Sequence, residues 1–155
     1  MTEDQLNAAL QAEYLHLQKT IEDFDSRALT IKAWSVTFGL VSIAGAFASH
    51  SYIPFLISSI STAIFWLLEV EWKLFQTSYS SRSNLIEAHF RSEAKVEHPF
   101  QIGSSWYTAW KAIRTQRVKQ VTLWPHVALP HAFVMTLGIL LFFLSITNVI
   151  NLNVP

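Results

Sequence analysis

Two carboxylates, Glu69 and Glu71, follow the apolar stretch Trp66-Leu67-Leu68 and are the first candidates for chemistry. A carboxylate next to such a stretch is costly unless it is paired, hydrated or used in function. In one interpretation Glu69 pairs with Lys73 and Glu71 with Lys32, which anchors two helices at a membrane interface. In the other, a ring of these carboxylates from several subunits lines a cation path or its mouth. We favour pairing, because both residues fall near the end of an apolar run.

Two histidines, His126 and His131, lie five residues apart next to Pro125 and Pro130. A histidine pair can bind a metal or respond to pH. This spacing does not place both rings on one face of a regular helix, and no Asp or Glu lies nearby in the sequence. We therefore predict no metal site. The prolines are expected to set the entry angle of a helix, with the histidines at a membrane interface.

A basic run lies in segment 100–124, which contains no acidic residue. Such a run is typical of a site for anionic lipid headgroups, a nucleotide signal or an acidic helix. The absence of a glycine-rich phosphate loop disfavours the nucleotide. Residues 1–25 carry six acidic residues and one Lys, so the two segments are predicted to pack together, within one chain or between neighbours. The run consists of Lys111, Arg114, Arg117 and Lys119.

Signatures of catalysis are missing from the sequence. It has no serine elbow between glycines, no paired-histidine zinc motif, and no kinase or hydrolase signature. It also has no cysteine, which excludes a disulfide framework, a thiol nucleophile and a thiolate metal site. A net charge of zero gives no general affinity for nucleic acid. We predict a protein that is not an enzyme and that has no cofactor and no nucleic-acid partner.

Three long apolar runs must position the charged residues. The chain is 51% hydrophobic and only 14% charged, which is too apolar for a typical soluble domain. Each run can cross a hydrocarbon layer of about 30 Å. Burial in a soluble helical bundle is the alternative, and the third run argues against it because none of its faces is charged. The predicted transmembrane segments are residues 32–50, 52–72 and 126–150.

Small residues within these segments are predicted to let the transmembrane helices approach one another closely. This group consists of Ser42, Ser58, Ser59, Ser61, Gly39, Gly45 and Gly138.

All Lys and Arg residues lie up to Lys32, at the start of the first segment, or between the second and the third. Positively charged loops stay in the cytoplasm, so the amino terminus and residues 73–125 are predicted to be cytoplasmic and the tail 151–155 external. No cleavable signal peptide is visible, because the first 25 residues are rich in acids. The expected location is a bacterial inner membrane, which the chain crosses several times.

Apolar residues before the first run recur about every 3.5 positions, the pattern of a helix packed along another helix. No Gly or Pro occurs in residues 2–34 or 55–97. Helices over residues 1–31 and 73–98 are therefore predicted to continue the first two transmembrane segments into the cytoplasm. The apolar seam consists of Leu6, Leu10, Tyr14, Leu17, Ile21, Phe24, Ala28 and Ile31.

This continuation predicts an antiparallel hairpin, or stalk, whose turn is centred between Ser51 and Tyr52. Lys32 and Glu71 then lie at the same depth, and the two helices end together near His98. Segment 99–125 is expected to form a loop and a third cytoplasmic helix that returns to the membrane. The predicted fold class is an all-α membrane protein with three transmembrane helices and a long cytoplasmic helical hairpin.

Two stretches carry a resemblance to a known family: Lys32-Ala33-Trp34-Ser35-Val36-Thr37, and Phe65-Trp66-Leu67-Leu68-Glu69 running into a long helix. Over residues 1–95 this layout resembles small bacterial two-span effectors of the SLATT type. The resemblance implies a homo-oligomer that forms an ion-conducting or membrane-disrupting pore, with a role in antiphage defence. The third span departs from that pattern, and no site residue is carried over.

Two further functions are compatible with the sequence. A non-conducting anchor or sensor would recruit a soluble cytoplasmic partner through the stalk, and the exposed basic helix allows this. A small transporter is the other, and three spans could form one only as an oligomer. All of these hypotheses predict membrane lipids as partners.

Overall fold

In the computed structural model, which describes residues 1–152, the chain forms α-helices and no strand within that range. The predicted all-α class is confirmed for this range. In chain order the helices are α1 (Glu3–Ala48), α2 (Ile53–Phe90), α3 (Ile102–Thr122) and α4 (Pro125–Ile146). Of the predicted tail 151–155, residues 153–155 lie outside the described range.

Three of the helices, α1, α2 and α4, are long and apolar enough to cross a membrane. They contain 46, 38 and 22 residues, against the roughly 20 that a hydrocarbon layer requires. Few residues in their apolar stretches are buried inside the chain: 22% of those in α1 and α4 and 33% of those in α2. Large apolar side chains that face outward on all sides are typical of helices bathed in lipid. The chain is therefore a membrane protein.

α1 is one continuous helix, as predicted from the absence of Gly and Pro in its first part. A short loop follows, in which His50 takes a left-handed backbone with φ 52°. α2 ends at Phe90, well before the predicted end near His98. The N–H groups of Glu93 and Ala94 both donate to the carbonyl of Ala88, which closes the helix without any glycine. The sequence carries no Gly or Pro signal for this end.

The chain divides into two compact units, and α1, α2 and α3 contribute to both, α3 with only its last three residues in the second. We call residues 1–27 and 71–119 the polar unit. We call residues 28–70 and 120–155 the apolar unit, which the structure describes as far as residue 152.

In the polar unit, α1 and α2 pack side by side in opposite directions around a small apolar core. The hydroxyl of Tyr14 donates to Glu87 at 3.0 Å, and the amide of Gln18 donates to Ser83 at 3.0 Å. α3 packs on α2 through stacked indole rings of Trp106 and Trp110 that contact Phe75. The buried cluster between α1 and α2 consists of Leu10, Leu17, Ile86 and Val96.

In the apolar unit, two glycines allow close helix packing. A Cβ atom on Gly39 would lie 2.3 Å from Val134 Cγ1, and one on Gly138 would lie 2.4 Å from Ser59 Oγ. The predicted role of small residues is confirmed at these contacts. Gly45, in contrast, has no neighbour within 4 Å of such a Cβ. One buried apolar cluster of this unit consists of Ile43, Ala46 and Phe55.

Candidate functional site

A charged cluster lies inside the apolar unit, where α1, α2 and α4 meet. α1 contributes Lys32 and Ser35, whose spacing of three residues places both on one face of the helix. α2 contributes Glu69, and α4 contributes His131, which follows Pro130 inside the helix. The side chains of Glu69 and His131 are completely buried, and that of Lys32 is 18% exposed.

The cluster is a linear chain of polar contacts. Lys32 Nζ lies 2.7 Å from Glu69 Oε1, and His131 Nε2 lies 2.9 Å from Glu69 Oε2. The other ring nitrogen, His131 Nδ1, lies 2.8 Å from Ser35 Oγ. The contacts therefore run from α1 to α2, on to α4 and back to α1.

The hydrogen-bond pattern fixes one proton of the cluster. An ionised carboxylate only accepts hydrogen bonds, so Nε2 of His131 carries the hydrogen that is donated to Glu69. Nδ1 shares a hydrogen bond with the hydroxyl of Ser35, which can act as donor or acceptor. Lys32 and Glu69 balance each other in charge, although Glu69 Oε1 receives no well-aligned hydrogen bond within the described range.

An aromatic wall closes one side of the cluster. The rings of Trp66 and His131 are stacked, with centroids 6.4 Å apart and planes 16° from parallel. The indole N–H of Trp66 donates to the carbonyl of Thr122 at 3.2 Å, which fixes the ring. His131 is thus held by polar contacts at both nitrogens and by an aromatic face.

The arrangement can hold three helices together, and it can hold or pass one proton between Glu69 Oε2 and His131 Nε2. Ionisable side chains inside membrane-spanning segments are expensive and are by default candidates for function. Removing one partner of a buried ion pair is costly, because an uncompensated charge stays behind.

The predicted ion pairs around Glu69 and Glu71 are wrong in detail. Lys32 pairs with Glu69 and not with Glu71, whose carboxylate instead contacts Arg114 at 3.2 Å. Lys73 does not pair with Glu69 but contacts Asp25 at 2.5 Å. The reason for the first error is the loop between α1 and α2.

The loop between Ala48 and Ile53 is centred between His50 and Ser51, one position earlier than predicted. In an antiparallel hairpin, a shift of one position in the turn moves every cross-helix partner by two residues. The partner of Lys32 therefore moves from Glu71 to Glu69.

The two histidines of the proline-bracketed segment have different environments. His131 is completely buried in the cluster, whereas His126 is exposed beside the ring of Trp124, at a centroid distance of 5.4 Å. His126 is therefore not part of the cluster. Within residues 1–152, no group of three or more His, Cys, Asp or Glu side chains could hold a metal ion.

The basic run on α3 is only partly paired. Arg114 contacts Glu71 and lies 5.2 Å from the centre of the Trp110 ring. Lys111, Arg117 and Lys119 are exposed, and none of them forms an ion pair in the part of the chain that the structure describes.

Within one chain, the ion pairs do not show the predicted pairing of this run with the acidic start of α1; pairing between neighbouring chains stays a prediction. Glu13 and Asp25 of α1 pair with Arg82 and Lys73 of α2, and Arg114 of α3 also pairs with α2. Both charged segments therefore form ion pairs with α2, the helix that lies between them in the sequence.

A second buried carboxylate, Glu13 in the polar unit, was missed at the sequence level. It accepts hydrogen bonds from Arg82 Nε at 2.8 Å, from Arg82 Nη2 at 3.1 Å and from the backbone N–H of Phe100 at 2.8 Å. The available signal was its position between Leu10 and Leu17, three and four residues away, on the apolar side of α1.

Comparisons of the chain with protein-family models, with curated proteins and with solved structures gave no significant match.

Proposed function

We propose that this chain is one subunit of an oligomeric pore in a bacterial inner membrane, which conducts ions or disrupts the membrane and takes part in antiphage defence. The observation that supports an oligomer is an unpartnered face of α1 in the apolar unit. Four exposed small side chains lie there at helical spacing, two on each side of the exposed Val41. They are Ala33, Thr37, Ala44 and Ala48.

Association through such a face is favourable in lipid. The lipid tails are as apolar as the side chains, so helices associate through close packing, which small residues permit. Gly39 and Gly138 already make contacts of this kind within one chain. The face around Ala44 offers the same geometry to another copy of α1.

A conducting path would have to lie between copies. The interior of one chain is filled by apolar side chains such as Phe55 and by the Lys32–Glu69–His131 cluster. Glu69 has no exposed surface, so it cannot line a path between subunits in this conformation. In this proposal the cluster fixes α1, α2 and α4 as one rigid wall element, and Thr37 supplies a hydroxyl to the shared face.

The proposed orientation follows the distribution of basic residues, with the amino terminus and the polar unit in the cytoplasm. The polar unit would then be the cytoplasmic stalk, and a signal arriving there would reach the membrane through α1 and α2.

The test is to reconstitute the purified protein into liposomes and to measure ion flux, with and without cell extract as a source of a cytoplasmic trigger. We expect flux from the wild type and at least a tenfold loss for Ala44→Leu, together with loss of cross-linked oligomers. The matched control is Leu140→Phe, which enlarges an outward side chain of α4 that is 55% exposed. This control should conduct normally. No flux from the wild type under any of these conditions would contradict the pore.

A second candidate, a non-conducting anchor or sensor, is favoured by an open groove in the polar unit. The groove has a volume of 510 Å³ and is lined by Tyr14, Ile86 and Phe90 among others. Phe90 is 53% exposed, so the groove could accept an apolar side chain of a soluble partner. Phe90→Glu should abolish capture of that partner and leave oligomers intact if this function is correct.

A further inference from the structure

α3 carries three exposed cationic side chains that no acid compensates. Lys111, Arg117 and Lys119 form no ion pair within residues 1–152, and segment 100–124 contains no Asp or Glu. The one exception in the run is Arg114, which is bound to Glu71. Three uncompensated cations on one short stretch attract an anionic partner.

The position of these residues along α3 indicates which kind of anion they bind. Arg117 and Lys119 lie between Arg114, which contacts Glu71, and Thr122, whose carbonyl accepts a hydrogen bond from Trp66. α4, which is apolar enough to cross a membrane, begins at Pro125, only six residues after Lys119. At 1.5 Å per helical residue this is about 9 Å of chain.

The exposed surface changes character over the same stretch. On α2, the residues between Trp66 and Glu71 include Leu67 and Leu68, which are 64% and 53% exposed. After α3, Leu123 is 72% exposed. The cations thus occur where the sequence passes from a polar to an apolar exposed surface, which is the level of lipid headgroups in a membrane protein.

We infer that Lys111, Arg117 and Lys119 form a binding site for the phosphate groups of anionic phospholipids in the leaflet next to the polar unit. The Arg guanidinium can donate two parallel hydrogen bonds to one phosphate, and the Lys ammonium groups act as point charges. Clusters of basic residues immediately before a membrane span are the usual recognition element for such lipids. The inference does not depend on a pore, because an anchor would bind the same lipids.

The experiment measures lipid selectivity directly. The full-length chain is reconstituted into phosphatidylcholine vesicles that contain 20% phosphatidylglycerol, and trace amounts of spin-labelled phosphatidylglycerol or phosphatidylcholine report which lipid contacts the protein. We expect the wild type to prefer phosphatidylglycerol. Removal of each basic side chain should lower this preference by up to about fivefold. Lys111→Gln/Arg117→Gln/Lys119→Gln should therefore lose most of it.

A control variant removes the same net charge elsewhere in the polar unit. Lys19→Gln/Arg91→Gln/Lys95→Gln changes three exposed basic residues outside α3 and should keep the preference. Lys111→Arg/Arg117→Lys/Lys119→Arg keeps the three positive charges and should keep the preference for phosphatidylglycerol. This variant separates loss of lipid binding from loss of folding. Circular dichroism checks that all variants are helical.

Equal losses in both Gln variants would indicate a general charge effect and would overturn the inference. A wild type without preference would overturn it as well. So would an α3 variant that keeps its lipid preference but loses cross-linked oligomers, because the partner of the cations would then be an acidic surface of a second copy. Failure of the pore leaves these measurements unaffected.

Discussion

Each of the two units buries one carboxylate, and the two carboxylates differ in the hydrogen bonds that they accept. In the polar unit, Glu13 receives three aligned hydrogen bonds, two from Arg82 and one from the backbone of Phe100. In the apolar unit, Glu69 receives one aligned hydrogen bond, from His131, and an ion-pair contact from Lys32. Arg82 is 4% exposed, whereas Lys32 is 18% exposed.

The difference separates a structural role from a functional one. The bidentate guanidinium holds Glu13 in a single geometry and leaves it little capacity for another partner. Glu69 contacts a flexible ammonium group and an imidazole, neither of which grips both of its oxygens. It also lies in the unit where charge is most expensive. Glu69 is therefore the carboxylate with the better claim to function.

The largest effect on stability should follow from breaking the Arg82–Glu13 pair of the polar unit. Arg82→Met leaves Glu13 buried without its main partner, and we expect a loss of about 3–5 kcal/mol in the free energy of unfolding. Unfolding in detergent solution, followed by circular dichroism, measures it. Arg91→Met is the matched control, because Arg91 is 55% exposed and its loss should cost less than about 1 kcal/mol. Equal effects of both substitutions would mean that burial of Glu13 does not matter.

Breaking the Lys32–Glu69 pair of the apolar unit should lower the free energy of unfolding by a smaller amount. Lys32→Met leaves Glu69 the hydrogen bond from His131, so we expect a loss of about 1–3 kcal/mol in the free energy of unfolding. The double variant Lys32→Met/Glu69→Gln removes both charges and should be more stable than Lys32→Met alone. The same unfolding assay compares the two. A double variant that is less stable than the single variant would show that the carboxylate stabilises the helices without its cation.

The close helix contacts of the apolar unit provide the next comparison. Gly138→Ala would place a methyl group 2.9 Å from the backbone oxygen of Phe55 and should destabilise by about 1–3 kcal/mol. Gly45→Ala meets no atom within 4 Å and should stabilise the chain by about 0.5–1 kcal/mol, since alanine favours the helix. Melting temperatures of the two variants should lie on opposite sides of that of the wild type.

The smallest effect concerns the rim of the polar unit and depends on pH. The hydrogen bond that Tyr14 donates to Glu87 raises the pKa of the Tyr14 hydroxyl above its ordinary value of about 10. Because the pKa is higher in the folded state, this stabilisation is complete below about pH 10 and is lost as the pH rises through the raised value. The stability difference between wild type and Tyr14→Phe should therefore shrink in alkaline solution. A difference that is constant up to pH 12 would contradict this.

Much of the fold follows from local sequence signals. Apolar runs predict α1, α2 and α4 as membrane-spanning, and the absence of Gly and Pro before Trp34 predicts that α1 is continuous. The end of α2 at Phe90 is not predictable in this way, because the turn at Ser92 uses a left-handed residue that is not glycine. Helix ends formed by backbone hydrogen bonds alone leave no composition signal.

Three residues of the cluster were among the predicted candidates, but their partners were not predicted, and Ser35 was missed. Glu69, Lys32 and His131 were each recognised, since charged or titratable residues beside apolar runs are unusual. Their contacts depend on the register of the hairpin and on the rotation of α4, which are set by packing over large sequence separations. Glu13 was counted only as one of several acids, because its burial depends on Arg82, 69 positions away.

The backbone conformation of Phe100 restricts which residues can replace it. Its φ of 62° is unfavourable for a bulky residue, yet its ring is 71% exposed and its N–H donates to Glu13. The position is thus selected for its amide and not for its ring. Among descendants of this chain, Gly and Asn should replace Phe100 freely, β-branched residues should be rare, and proline, which has no amide hydrogen, should be excluded.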